Sequence, residues 1–285
     1  MEEATCCYCK STNGDILANV DGFTIIKCEC GITYPNPRYS PEELIEMYNK
    51  NEYTDANKKS DTHSYLEIEK DNEVDLRRRL KLVESFSKRK GKLLDVGCNI
   101  GSLIKVADGW ICYGLDLNES SIKIARERGL NCDVKRLEKV KGKYDLIFMN
   151  DFLEHVNNPI ELIKKSWTLL NKGGYIYIST PDGDSLVSKI SRGRWLHRKP
   201  EQHLYIFTRG IIKDILEKNG FDVIYISSIG RIRSLGVIIK KIKSYSNLIG
   251  NLLDYITPQL IKNISISINP LDEMQIIGRK NGSLK

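Results

Sequence analysis

The sequence predicts an α/β protein in which a mostly parallel sheet is covered by helices on both faces. Three observations carry this expectation. From Gly91 onward, short aliphatic runs alternate with amphipathic ones, the pattern of buried parallel strands joined by crossover helices. The first aliphatic run, "KLLDVG", leads directly into a turn of small residues at 97–101 and then into "SLIKV". The run "EMQIIGRK", set apart by a long insertion, reads as an antiparallel seventh strand that closes the sheet.

The elements follow in order from their residues. Near the N-terminus, "TCCYC" and "KCECG" place two cysteine clusters on tight turns around a short polar hairpin. Cys6-x-x-Cys9 has metal-knuckle spacing, because two thiolates on one turn suit a tetrahedral Zn²⁺, whereas Cys28-x-Cys30 is one residue shorter than the usual knuckle. Five of the eight cysteines fall in the first thirty residues. Residues 1–39 are therefore expected to form a zinc-ribbon-like module with Cys6, Cys9, Cys28 and Cys30 as ligands and Cys7 as a spare. The alternative is a set of buried, redox-inert thiols. In "SPEELIEMYNK" (40–50), Ser40 is an N-cap, Pro41 takes the first helical position and two glutamates occupy the first turn. A polar stretch runs from Asn51 to about Ser64. Apolar residues at helical spacing between Leu66 and Phe86 then predict a long helix over 65–88, which completes a helical connector at 40–88.

The core of the chain continues as "KLLDVG" strand, "GSLIKVAD" helix, "WICYGLDL" strand, "ESSIKIARERG" helix and "YDLIFMN" strand. The helix "PIELIKKSWTLLNKGG" starts after Asn158, "YIYIST" is a strand, "TRGIIKDILEKNG" is a helix capped by Thr208 and ended by Gly220, and "FDVIYISSI" is the sixth strand. Residues 89–230 and 271–285 form the main domain on this reading, and 231–270 an insertion.

Composition bounds what this fold does. A hydrophobic fraction of 41% with 28% charged residues is that of a globular protein, with no apolar run near the roughly 18 residues of a membrane span. The acidic, Cys-rich start is no signal peptide, so the cytoplasm is expected, where reducing conditions disfavour a disulfide framework. The net charge of +7 is too mild to indicate nucleic acid. Its excess lies at the C-terminal end, with nine Lys or Arg against three acids from Arg231 onward.

In such sheets the ligand binds at the carboxyl ends of the strands, which is where the loop 95–101 falls. Gly97 and Gly101 allow close backbone approach, and Asn99 replaces a glycine with a side chain tolerant of left-handed angles. The second strand ends in "GLDL", so Asp116 is placed to accept both ribose hydroxyls of a nucleotide, and Asn118 remains to cap the next helix. A dinucleotide needs its pyrophosphate at a glycine-backed helix N-terminus. This turn lacks the middle and third glycines of that fingerprint and suits a ligand without phosphates; a cationic sulfonium would favour the nearby Asp95.

Taken in order, "LLDVGCNIG", "YGLDLNESSIKIARERG", "YDLIFMNDFLEHVNNP", "LLNKGGYIYISTP" and "HLYIFTRGIIKDILEKNGFDVI" resemble the class I S-adenosylmethionine-dependent methyltransferases over about residues 91–230. The Cys-rich start with "YPNPR" and "SPEELIEMY" resembles a subgroup carrying an N-terminal zinc-ribbon-like module, whose members often act on sugars, lipids or other small metabolites. The resemblance implies a Rossmann-like seven-stranded sheet with an antiparallel last strand. It also implies S-adenosylmethionine as cofactor and structural Zn²⁺. Asp95, Gly97, Cys98, Asn99 and Gly101 would contact the methionine moiety, and Asp116 with Leu117 the ribose and adenine. Asn150, Asp151 and Phe152 would line the floor beneath the sulfonium, and the segment around Arg136 to Glu138, which lacks the expected Asp, would border the adenine edge.

For the methyl acceptor, "DFLEHV" puts Glu154 and His155 just past the fourth strand, and His155 is a candidate base. The loop "GRWLHRKPEQHLYIF" (193–207) offers His203 as a second base. It also offers Tyr205, Arg194, Trp195 and Arg198 as contacts to a small-molecule, sugar or lipid-linked glycan acceptor; the alternative is a packed lid in which His203 is hydrogen-bonded and Trp195 is core. Within 231–270, Leu235, Ile238, Ile239, Ile242, Ile249, Leu252, Leu253 and Ile256 recur at helical spacing among Lys240, Lys241 and Lys243. Such a stripe either packs on its own domain as a cleft cover or dimer surface, or rests on a membrane. The expected activity is O-methylation. The alternatives are a zinc-ribbon RNA-binding methyltransferase, although the aromatics do not interleave with Lys and Arg as a stacking platform requires, and an NAD-dependent oxidoreductase.

Overall fold

A computed structural model describes residues 1–49, 66, 68–87, 90–245 and 247–282. The polar stretch expected from Asn51 to about Ser64 lies outside the described residues. The N-terminal hairpin is β1 (Gly14–Val20) and β2 (Phe23–Cys28), and β3 (Thr33–Pro35) pairs with β2 to make a three-stranded antiparallel sheet. Helix α1 (Pro41–Asn49) begins with a reciprocal cap. The Ser40 hydroxyl accepts from Glu43 N at 3.2 Å while the Glu43 carboxylate accepts from Ser40 N at 2.8 Å.

Helix α2 (Glu69–Phe86) leads into β4 (Lys92–Val96), α3 (Ser102–Val106), β5 (Ile111–Asp116), α4 (Glu119–Glu127), β6 (Cys132–Val134) and β7 (Tyr144–Asn150). There follow α5 (Pro159–Leu169), β8 (Leu170–Pro181), α6 (Leu186–Ser191), α7 (Arg209–Lys218) and β9 (Phe221–Ser228). The insertion comprises β10 (Arg231–Ser234), α8 (Leu235–Tyr245), α9 (Asn247–Ile256), α10 (Gln259–Lys262) and β11 (Ser265–Ile268), and β12 (Glu273–Lys280) ends the fold.

The main sheet runs β6-β5-β4-β7-β8-β12-β9. Strands β4 to β8 pair in parallel; β12 is antiparallel to both of its neighbours, so it lies between β8 and β9 and does not form an edge. Alternation along the strands sends side chains to two cores. Leu94, Val96, Ile147, Met149, Ile176, Ile178 and Ile276 pack with Leu162 and Ile163 of α5 and Ile212 and Leu216 of α7. On the opposite face, Leu93, Leu146, Phe148, Tyr177 and Ile277 meet Leu80 and Val83 of α2 and Leu103 and Val106 of α3. The caps expected for α4 and α7 are present, with Asn118 Oδ1 accepting from Ser121 N at 2.8 Å and Thr208 accepting from Ile211 N at 3.4 Å.

Two features differ from the sequence expectation. The insertion is a helical pair framed by a two-stranded antiparallel ribbon, β10 with β11, which neither "RIRS" nor "SISI" is long enough to announce. Helix α2 buries polar residues, with Asp71, Asn72, Asp75 and Arg79 on its inner face while Val74 is exposed. The ribbon supplies the reason: Asp75 accepts from Ile232 N at 2.9 Å and Asp71 from Ser234 N at 2.7 Å, so the acids satisfy donors at its edge.

A candidate cofactor cleft and its surroundings

At the carboxyl ends of β4 and β7 the chain opens into a cleft lined in part by Asp95, Gly97, Cys98, Asn99, Asn150 and Asp151. Backbone angles explain the loop. Gly97, Asn99 and Gly101 have φ of +80°, +47° and +81°, and a Cβ on Gly97 would stand 2.4 Å from the Phe152 ring. Asn99 holds its left-handed turn by accepting from Ile100 N at 2.7 Å through its own side chain.

Asp116, at the end of β5, locks this loop to the next strand. Its carboxylate accepts from Asn99 N and Asn118 N, both at 2.9 Å, which leaves lone pairs for further donors. Asp95 is nearly fully buried. Burial first, and then the Asp116 charge, pushes its carboxyl up to about 8. Burial raises Asp116 as well. A buried acid in the cleft with a second acid close behind it forms an environment in which a cationic ligand is favoured.

The floor is a charged network. Asp151, at φ +52°, accepts from Ser179 Oγ at 3.0 Å, Arg231 at 2.9 Å and Asn150 Nδ2 at 3.2 Å. Despite burial, Arg231 and Arg79 hold its carboxyl far below the usual range. Arg79, 2% exposed, donates to Asn150 and, at 3.1 Å, to Ser179 Oγ. Arg231 also meets Glu273 at 2.7 Å. Asn72, Asp75, Leu76, Arg79 and Arg231 thus line the cleft with the glycine loop, and sequence reasoning missed them. The signal was the polar stripe 71, 75 and 79 on α2, spaced by four as one helix face. Gly101, Asp116, Leu117 and Phe152 stand behind or beside this lining, and Leu137, from the segment around Arg136 to Glu138, is buried in the core.

The expected acceptor residues are elsewhere. Trp195 is 3% exposed and donates to Asp272 at 2.9 Å. Arg198 donates to Thr33 Oγ1, Arg192 O and Ser188 Oγ, and Tyr205 OH accepts from Arg38 at 2.6 Å and donates to Thr5 O at 3.3 Å. Arg198 and Tyr205 fill the seam between the cysteine-rich module and the main domain, where paired Thr33–Ile206 backbone bonds join the two, and Trp195 lies beside Arg198. Their polar atoms have protein partners, and Trp195 is in the core, as in the packed-lid alternative. Arg194 is exposed.

His155 and His203 also lie outside the cleft lining but come together with Glu154, their ligand atoms within 4.8 Å of one another. Nδ1 of His155 is 3.0 Å from Gln202 O and Nδ1 of His203 is 2.7 Å from His197 O, so each ring donates through Nδ1. Burial, and then His155, keeps His203 neutral well below the ordinary histidine range. Burial, followed by the Asp151 charge, pushes Glu154 up to about 8, and Thr180 donates to it at 3.0 Å.

In the N-terminal module the four expected sulfurs converge. Cys6 and Cys30 are 3.5 Å apart, Cys9 and Cys28 are 3.3 Å apart, and all four lie within 4.8 Å of one another. The short second pair reaches because a tight turn returns Gly31 N to Cys28 O at 2.8 Å. Cys7 is buried in the core and outside the cluster.

This strand order and cleft define a Rossmann-like domain built to hold a nucleoside cofactor. Residues 68–226, more than half of the chain, match a family model described as a methyltransferase domain. The chain belongs to that family. It is 36% identical over 114 residues to a ubiquinone biosynthesis O-methyltransferase of Coxiella burnetii, a stretch covering 36% of this chain and 49% of the relative. It is 33% identical over 108 residues to the mitochondrial ubiquinone biosynthesis O-methyltransferase of Saccharomyces cerevisiae, covering 32% of this chain and 34% of that one. The chain thus spans about half or less of the length of the curated relatives it matches. The fold is similar to the crystal structure of a SAM-dependent methyltransferase from Archaeoglobus fulgidus, with a TM-score of 0.52, 22% identity, and coverage of 76% of this chain and 100% of that one.

Proposed function

We propose that the chain transfers the methyl group of S-adenosylmethionine to a hydroxyl of a small-molecule, sugar or lipid-linked acceptor, such as a glycan precursor, in the cytoplasm. The observation that carries this reading is the acidic cleft at the end of β4, where Asp95 is buried beside a glycine-turn loop fastened by Asp116. On this reading Asp95, Gly97, Cys98, Asn99 and Gly101 hold the methionine moiety and Asp116 with Leu117 the ribose and adenine. Asn150, Asp151 and Phe152 form the floor. The relatives named as O-methyltransferases support oxygen as the nucleophile. In the transfer, the acceptor oxygen bonds to the methyl carbon as the carbon–sulfur bond breaks, its electron pair goes to sulfur, and the hydroxyl proton goes to a base.

The base we propose is His203, assisted by His155. Donation through Nδ1 leaves the Nε2 edge of each ring as the acceptor side, and neutrality of His203 keeps it competent. Trp195, Arg198 and Tyr205 then act by holding the loop 193–207 against the cysteine-rich module, with Arg194 left at the surface for an acidic or phosphorylated acceptor. We further propose that Cys6, Cys9, Cys28 and Cys30 bind a structural Zn²⁺ in a ribbon-like module at 1–39, which would cross-link the two turns that seat this module. The connector at 40–88, the methyltransferase domain at 89–230 with 271–285, and the insertion at 231–270 complete the organisation.

The test is transfer of isotopically labelled methyl from S-adenosylmethionine to a panel of hydroxylated acceptors. Label should appear in product with wild type and, at subsaturating S-adenosylmethionine, fall by roughly ten- to a hundredfold with Asp95→Asn. Label recovered as an N-methyl or C-methyl product would overturn the choice of oxygen.

A further inference from the structure

The insertion leaves an apolar helix face uncovered. On α9 and just beyond it, Leu248 is 83% exposed, Leu252 58%, Tyr255 90%, Ile256 59% and Leu260 85%. Positions 248, 252, 255 and 256 follow one helical stripe, so the side chains form one strip. Part of the expected stripe does turn inward, since Ile239 is buried. Leu235, Ile238, Ile242 and Leu253 are half-buried, and among the described residues nothing covers Leu248, Leu252, Tyr255 and Ile256.

The charge around this strip selects its partner. Between 235 and 268 the sequence has four lysines and a single acid, Asp254. That acid is held below the usual range by Lys262, which pairs with it at 2.5 Å, and then by Lys243 and Lys240. Lys262, Lys243 and Lys240 therefore gather around Asp254 on α9, beside the exposed strip. A second copy of this chain would set these like charges against each other. An anionic lipid surface would accept both the apolar strip and the lysines. Among the described residues no helix is long and apolar enough to cross a membrane, so contact of this kind is peripheral.

We propose that the α8–α9 pair docks the protein on an anionic bilayer surface, with Leu248, Leu252, Tyr255 and Ile256 entering the headgroup boundary and Lys240 and Lys243 facing lipid phosphates. The ribbon at the base of this pair is fastened to the cleft through Arg231, which pairs with Asp151. Docking would thereby hold the cleft next to lipid, the geometry required if the acceptor proposed above is lipid-linked. The docking itself does not depend on the acceptor.

The test is co-sedimentation of the full chain with vesicles of phosphatidylcholine alone and with about one-third phosphatidylglycerol, for wild type, the double variant Leu252→Glu/Tyr255→Glu and the double variant Lys240→Gln/Lys243→Gln. At about 1 kcal/mol per lysine near the surface, losing two lysines should weaken binding to anionic vesicles by roughly thirtyfold. The glutamate variant should lose binding altogether, with its thermal unfolding unchanged because both sites are exposed. Equal binding to neutral and anionic vesicles would overturn the proposal. So would retention of binding by the glutamate variant, or a dimer that the glutamate variant disperses in a protein that ignores vesicles. Failure of methyl transfer with vesicle binding intact would count against the acceptor reading alone.

Discussion

The raised carboxyl of Asp95 makes cofactor binding depend on pH in a calculable way. In the free cleft its pKa is about 8, so at pH 7 the group is about nine-tenths protonated. The methionine moiety brings an ammonium group, and S-adenosylmethionine a sulfonium as well, both of which favour the ionised carboxylate. Ionising Asp95 before binding costs about 1.4 kcal/mol at pH 7 and about 2.7 kcal/mol at pH 6. Affinity for S-adenosylhomocysteine should therefore rise about tenfold per pH unit from 6 towards 8 and level off above 8, with close to one proton released per ligand at pH 7. Calorimetry in two buffers of different ionisation enthalpy reads both the affinity and the proton. Asp95→Asn should flatten the profile and weaken binding at pH 8 by roughly ten- to a hundredfold, the worth of a hydrogen bond to a charged group. Glu154 titrates in the same range but does not line the cleft, so the Asn variant separates the two. For stability the direction reverses. The native pKa of Asp95 lies above its unfolded value near 3.9, so the unliganded fold gains from protonated Asp95 at low pH and loses that gain as pH rises towards 8. A flat affinity profile between pH 6 and 8 with no proton release would mean that Asp95 does not ionise on binding.

Other consequences are open to simple measurements. Gly97→Ala puts a methyl 2.4 Å from Phe152 at a φ of +80°, and should cost about 1–3 kcal/mol in thermal unfolding, with weaker S-adenosylhomocysteine binding. Elemental analysis should find about one zinc per chain, and chelation or Cys9→Ser should lower the melting temperature; zinc-free, undenatured protein with unchanged melting contradicts the ribbon. His203→Ala should lower turnover by roughly a hundredfold or more with the true acceptor. Because His203 is held neutral, the acid limb of the wild-type rate should fall below the ordinary histidine range; full turnover of the variant removes its role as base. Asp75→Ala leaves Ile232 N and Arg233 without their shared acceptor and should cost about 1–3 kcal/mol, with faster hydrogen exchange at Ile232 and no change at Ser234, whose N–H is held by Asp71.

The sheet was legible in the sequence because its strands are short aliphatic runs bounded by glycines and caps. The glycine loop was legible because Gly97, Asn99 and Gly101 occupy backbone angles that few residues tolerate. The polar face of α2 was hidden. Asp71, Asp75 and Arg79 look like a solvated stripe until the ribbon brings backbone donors to them, and that ribbon is made of two four-residue strands far apart in sequence. The loop 193–207 left two readings open, acceptor pocket and packed lid, for a related reason. Trp195, Arg198 and Tyr205 are residue types that suit an acceptor pocket as well as they suit a domain seam, and the partners that decide the matter, Asp272, Thr33 and Arg38, are remote in the chain. The convergence of Cys28 and Cys30 with Cys6 and Cys9 despite their short spacing depends on a turn at Gly31 that pair spacing alone does not reveal.

If the cleft at Asp95, with the loop that Asp116 fastens, holds a nucleoside sulfonium cofactor, titration calorimetry of the full chain at pH 8 should find one S-adenosylhomocysteine per chain, binding lost on Asp116→Ala, and no heat with NAD. Saturable NAD binding without S-adenosylhomocysteine binding would overturn the proposed cofactor.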